Sequence, residues 1–169
     1  MTDEKGTPIR YFLDTEFIED GHTIELLSIG VVCEDGRTFY AENSEADKSR
    51  ANDWVKANVL PHMQGPSYPY RTIATNLREW VAIHQDKPEF WAYYGDYDWV
   101  AICQMFGTML DLPSGWPMFC MDLKQLAVSF GNPRLPKQTS TEHNALADAQ
   151  WNADMFDWLY TLAARAPTL

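Results

Sequence analysis

No apolar stretch in the 169 residues is long enough to span a bilayer, so a membrane-embedded helix is not expected. The opening Met-Thr-Asp-Glu-Lys-Gly is polar and acidic. It lacks the basic start and apolar centre of a secretory signal. Cysteine is scarce. Cys33, Cys103 and Cys120 are odd in number and lack metal-site spacing, so they read as reduced thiols of a cytoplasmic protein. Positive charge is also short, with 13 Lys and Arg against 24 Asp and Glu and a net charge of −11. That argues against broad, non-specific binding to duplex nucleic acid, which needs cations to neutralise many phosphates. It leaves room for a site gripping one or two phosphates through bound metal, because an ion inverts the electrostatics of a carboxylate cluster. Repeats, low-complexity tracts and domain linkers are missing too.

What the chain does have is material for a core. Hydrophobic residues make up 46% and aromatics 14%, enough for one globular domain. Residues 1–8 are expected to form a loose tail and 9–165 a single domain. Apolar runs over 9–17, 23–33 and 38–42 read as strands, and Asp35-Gly36 is a hairpin signal between the last two. This predicts an antiparallel three-strand meander. Residues 43–64 suit a short helix plus loop, and Gly65-Pro66-Ser67-Tyr68-Pro69 is a breaker. From Thr72, the residues Ile73, Leu77, Trp80, Val81 and His84 recur with the helical period. A buried strand follows over 89–95, a helix over 97–110, a short strand over 118–121 and a helix over 122–130 with Gly131 as its stop. After a loop over 132–140, Thr141 is the expected N-cap of a long helix to about residue 164. The fold class is α/β, a mixed sheet flanked by helices.

Three acidic segments stand out. Asp14 and Glu16, in Tyr11-Phe12-Leu13-Asp14-Thr15-Glu16-Phe17-Ile18, are two apart on a strand and project to one face. Like charges that close need a cation, and carboxylate oxygens suit a hard divalent one. The plainer alternative is an edge strand with both acids in solvent. Gly95-Asp96-Tyr97-Asp98-Trp99 ends a strand and opens a helix. Either acid there can face a metal, or one can merely cap the helix. In Glu142-His143-Asn144-Ala145-Leu146-Ala147-Asp148, His143 and Asp148 are five apart, or about 140° around a helix. They do not share a face, though a site lying across the helix start would use both. Otherwise His143 is a surface residue. Trp54 is a large aromatic in a polar helix, for which partial burial in the core is the usual fate.

Asp-X-Glu on the first strand, aromatic-Asp after a later strand and His-X4-Asp near the C-terminus resemble the DEDDh exonucleases. That superfamily includes ribonuclease T, oligoribonuclease and polymerase proofreading subunits. The match runs through nearly the whole chain in order: Asp14, Glu16, Asp98, His143, Asp148. The opening Tyr-Phe-Leu-Asp-Thr-Glu-Phe-Ile-Glu-Asp-Gly is similar to a small bacterial subgroup of 3′–5′ exoribonucleases. Tyr94 stands where many members carry Asn. The resemblance implies a ribonuclease-H-like fold and favours Asp98 over Asp96. It implies two ions, Mg²⁺ or Mn²⁺, bound by Asp14, Glu16, Asp98 and Asp148, with His143 as general base. The substrate would be a single-stranded 3′ end or overhang of RNA, and the product a nucleoside 5′-monophosphate. Glu16, Phe17, Ile18, Trp54 and His143 would contact the nucleotide: main-chain amides near Phe17 and Ile18 on the ribose, Trp54 stacked on the base. Homodimers are common among related small exonucleases. The alternatives are an exonuclease acting on DNA, and a non-catalytic nucleotide-binding module of the same fold. A mere binder would not need four acids and His143.

Overall fold

The apolar runs pair as the Asp-Gly turn requires. β1 (Ile9–Glu19), β2 (Ile24–Cys33) and β3 (Thr38–Asn43) are antiparallel neighbours. The computed structural model describes residues 8–84 and 87–165, so 1–7 of the expected tail lie outside the described residues. Gly36 takes φ 90° in the turn between β2 and β3, where a residue without Cβ is unstrained. β4 (Ser67–Tyr68) joins β3 in parallel. On the other side β5 (Pro88–Ala92) runs parallel to β1, and β6 (Met121–Asp122) parallel to β5. The sheet order β4-β3-β2-β1-β5-β6 places β1 inside.

Helices cover both faces. On one, α2 (Tyr70–Val81) and α3 (Asp96–Phe106) send Ile73, Leu77 and Ile102 against Tyr11, Leu13 and Val31. On the other, α4 (Leu123–Ser129) and α5 (Ala145–Arg165) send Leu123, Ala149 and Phe156 against Phe12, Val32 and Trp91. β1 is therefore apolar at successive positions, as a strand covered on both faces must be. Leu13 alone, fully buried, contributes about 1.5–3 kcal/mol of transfer free energy. A smaller cluster of Ile18 and Leu27 against Ala51, Val55 and Val59 seats α1 (Asp53–Asn58). Asn52 caps α1 by accepting the Val55 amide. No helix among the described residues is long and apolar enough to cross a membrane.

Where boundaries differ from the sequence reading, local chemistry explains it. β5 stops at Ala92 because Tyr94 turns to φ 56° and Gly95 stands at the N-cap of α3. The expected strand over 118–121 contracts to Met121–Asp122, and Asp122 at once caps α4 through the Gln125 amide. β4 falls inside the stretch read only as a breaker. His84 lies beyond α2 and meets Asp35, Nε2 to Oδ2, at 2.8 Å. The last helix starts at Ala145, not at Thr141. Its cap is Asn144, whose Oδ1 accepts the Ala147 amide at 3.1 Å. His143, at φ 62°, is outside it.

Candidate active site

The late start of α5 changes the geometry of the third acidic segment. The rotation of about 140° between His143 and Asp148 presumes that both are helical. Instead His143 sits on the turn before α5 and folds back, its main-chain N–H donating to Asp148 Oδ2 at 3.0 Å. Each of Glu16, His143 and Asp148 offers an atom capable of binding metal, and the three atoms lie within 4.8 Å of one another. Two features lower the start of α5 onto the strand acids. Asp14 faces Gly30 across the β1–β2 ladder, and a Cβ on Gly30 would overlap the Ala145 carbonyl. Asn152, one turn beyond Asp148 and almost wholly buried, donates Nδ2 to the Leu13 carbonyl at 2.8 Å.

Asp98 enters from the opposite layer. It is buried in the first turn of α3, and its Oδ1 accepts both the amide of Thr15, at 2.7 Å, and its hydroxyl, at 2.6 Å. Asp96 is exposed, and no side chain caps α3. Thr15, between the two strand acids, thus fixes the third carboxylate beside them. Among the described residues, neither Asp14 nor Glu16 accepts a side-chain hydrogen bond, and no Lys or Arg pairs with any of the four acids.

Burial and crowding raise the proton affinity of all four carboxylates. Burial, then repulsion from Asp98, Asp148 and Glu16, raises the Asp14 carboxyl well above the ordinary range. Glu16 is pushed up to about 8 by burial and then by Asp148 and Asp98. Asp98 reaches about 6 through burial, against its two bonds from Thr15. Asp148 is raised by burial, against bonds from Gln138 and from the His143 amide. This all-oxygen set without a cation fits a hard divalent ion such as Mg²⁺ or Mn²⁺.

A stability prediction follows from the same shifts. The native chain keeps protons on these acids that the unfolded chain releases near pH 4. Without metal, stability should fall as pH rises through the folded values of about 6 for Asp98 and about 8 for Glu16. Mn²⁺ should restore it, with a larger gain in Tm at pH 8 than at pH 5. A chain of this size moves about 2–4 °C per kcal/mol. Melting curves at both pH values, with and without Mn²⁺, check this. An equal response at both, or none, would refute it.

Around the acids lies a cleft of about 440 Å³. Trp54 on α1 is 53% exposed there, its ring centroid 4.7 Å from that of His143 at 79°. It is not a core residue. Phe17 lines the same cleft and stacks on Tyr97 at 5.6 Å. Ile18 turns its side chain into the core under α1, so only its main chain can meet a ligand. Sequence reasoning passed over Thr15, Gly30, Gln138, Asn144 and Asn152. Of these, Asn152 carried a signal as a polar residue four after Asp148 and on the same helical face, and Asn144 one as an acceptable helix cap.

A family model described as the 3′–5′ exoribonuclease Rv2179c-like domain matches residues 9–160. Two proteins of Mycobacterium tuberculosis, 3′–5′ exoribonuclease Rv2179c of strain H37Rv and 3′–5′ exoribonuclease MT2234.1 of strain CDC 1551, are each 49% identical over 147 residues. That stretch is 84% of this chain and 88% of each relative. Among solved structures, Escherichia coli exonuclease I in complex with single-stranded DNA, in its zinc-bound form, is similar with a TM-score of 0.68 at 12% identity. The match takes in 95% of this chain and 42% of that one. Pop2p of Schizosaccharomyces pombe, in an Mg²⁺- and Mn²⁺-bound form, matches at 0.53 and 12%, over 92% of this chain and 83% of that one. These two likenesses establish the ribonuclease-H-like fold.

Proposed function

The chain belongs to the family of Rv2179c-like 3′–5′ exoribonuclease domains, and on that premise we propose how its own residues remove nucleotides from the 3′ end of RNA. The observation that carries the reading is the convergence of Asp14, Glu16, Asp98 and Asp148, from two helical layers and one strand, on a point where no Lys or Arg among the described residues pairs with them. These carboxylates would hold two divalent ions, Mg²⁺ or Mn²⁺. When bound, the ions offset phosphate charge and make water a stronger nucleophile.

The remaining work falls to the chain. The terminal nucleotide lies in the cleft under Trp54, whose exposed face stacks on the base. Such stacking is worth about 1–3 kcal/mol per base and tolerates any sequence. Main chain at Glu16, Phe17 and Ile18 meets the ribose hydroxyls, where the 2′-OH separates RNA from DNA. His143, standing at the rim of the acids, accepts the proton of the attacking water at an imidazole nitrogen. Water oxygen bonds to phosphorus, and the bond from phosphorus to the 3′-oxygen of the penultimate nucleotide breaks. The products are a nucleoside 5′-monophosphate and a strand one residue shorter.

The direct test sets end-labelled RNA and DNA of one sequence side by side with Mn²⁺, then with EDTA. Monophosphate release from RNA that stops on chelation and returns with added ion is expected. Undiminished cleavage after exhaustive chelation would overturn the ion-dependent reading, and faster cutting of DNA would overturn the substrate. Trp54→Ala should raise KM about tenfold with little change in kcat, and Trp54→Phe should recover most of it. An unchanged KM would remove the stacking role.

A further inference from the structure

A second, larger cleft of about 730 Å³ opens from the same acids. Asp14, His143 and Asp148 line both clefts, so the two meet at the reacting centre. Their chemistry differs. The larger one draws together Lys124, Arg134 and Lys137, three of the 13 basic residues in a chain of net charge −11. None of the three pairs with a carboxylate among the described residues. Lys124 Nζ is instead held by a neutral partner, Asn132 Oδ1, at 2.8 Å, which fixes its place without cancelling its charge. Tyr93 and Trp151 line the same cleft and meet edge to face at 5.2 Å. Apart from the acids shared with the first cleft, Glu142 is the acid on its lining.

The loop over 132–138 that carries two of these cations is fastened rather than free. The Asn132 amide donates to the Ala127 carbonyl at 2.8 Å, Trp151 Nε1 to the Pro136 carbonyl at 3.2 Å, and Gln138 to Asp148. Pro133 and Pro136 restrict its backbone further. The backbone that carries Arg134 and Lys137 is thus anchored relative to the acids.

We propose that this cleft is the subsite for the nucleotides immediately 5′ of the scissile bond. This rests on the exoribonuclease reading above. With the terminal nucleotide under Trp54, the rest of the strand must leave the acids by another path, and the second cleft is continuous with them. Lys124, Arg134 and Lys137 contact successive phosphodiesters, and Tyr93 and Trp151 offer ring faces to bases. Cations along a groove interleaved with aromatics are what sequence-tolerant binding of single strands requires. An acidic protein thereby confines its attraction for RNA to one channel.

The experiment compares steady-state kinetics on an oligoribonucleotide of about a dozen residues and on a dinucleotide. The variant is the triple Lys124→Gln, Arg134→Gln, Lys137→Gln, alongside wild type. The expected result is a rise of about tenfold or more in KM for the long strand, with kcat within about twofold. KM for the dinucleotide should move less than about twofold. The dependence of log KM on log salt should flatten by about 2, since each single-strand phosphate contact contributes about 0.7. Arg134→Lys, which keeps the charge, should stay near wild type, whereas a packing role for the guanidinium would not be rescued. An equal penalty on both substrates, or no penalty and an unchanged salt slope, overturns the subsite. A wild type that cuts both substrates with no advantage of length also overturns it and leaves the exoribonuclease reading standing. A wild type that cuts neither overturns both.

Discussion

Asp14→Asn should abolish RNA cleavage, lowering kcat by about 10³-fold or more, while making the metal-free protein more stable at pH 8. The activity loss follows from position. Asp14 lies where the other three acids meet, and its carboxyl is raised by all of them. An amide there is a poorer ligand and removes one of the charges that compensate bound ions. The gain in stability follows from the same contacts read in the other direction. Burial and the charges of Asp98, Asp148 and Glu16 disfavour an ionised Asp14, and a neutral Asn avoids that cost. A site tuned for cations is strained without them, so activity and metal-free stability trade against each other. Paired kcat and Tm measurements at pH 8, without and with Mn²⁺, check both halves. The variant should also lose most of the Mn²⁺-dependent rise in Tm. A variant that loses activity and stability together would mark Asp14 as a structural residue.

The strand acids were legible because a strand has the simplest period there is. Residues 14 and 16 must share a face once the apolar run around them is read as a strand, and the hairpin signal at Asp35-Gly36 fixed the pairing of the next two strands. The sequence at 95–99 left two acids in play. The resemblance favoured Asp98, and the fold separates them physically by burying Asp98 against Thr15 and leaving Asp96 in solvent. The start of α5 was misread for a physical reason. Thr141 and Asn144 are both acceptable caps, and nothing local reports that His143 takes a left-handed φ. Gly30 and Gln138 had no signal at all. Their importance arises where separate parts of the chain approach one another, the glycine beneath Ala145 and the glutamine across to Asp148. β4 and β6, two residues each, are too short for any period to appear. The left-handed backbone at Tyr94 adds a reason for a feature of the resemblance. Many family members carry Asn there, the residue type after glycine that accepts this conformation most readily.

Removing the His143 imidazole should lower kcat by about 10²–10⁴-fold, the usual range for loss of a general acid or base, while leaving Mn²⁺ affinity nearly unchanged. The structure makes the variant clean in one respect. The bond that residue 143 gives to Asp148 comes from its main-chain N–H, so His143→Ala keeps it. It is less clean in another, because φ 62° suits Ala poorly. His143→Asn is the better companion, since Asn tolerates that backbone and supplies no base near neutral pH. The competing role is metal ligand, and the geometry permits it, as an imidazole nitrogen lies within 4.8 Å of ligand atoms on Glu16 and Asp148. Calorimetric Mn²⁺ titration separates the two. Loss of a binding event or a large drop in affinity in both variants would make His143 a ligand. Full activity in both variants would make it a bystander beside Trp54, and the proton of the attacking water would have to leave by another route.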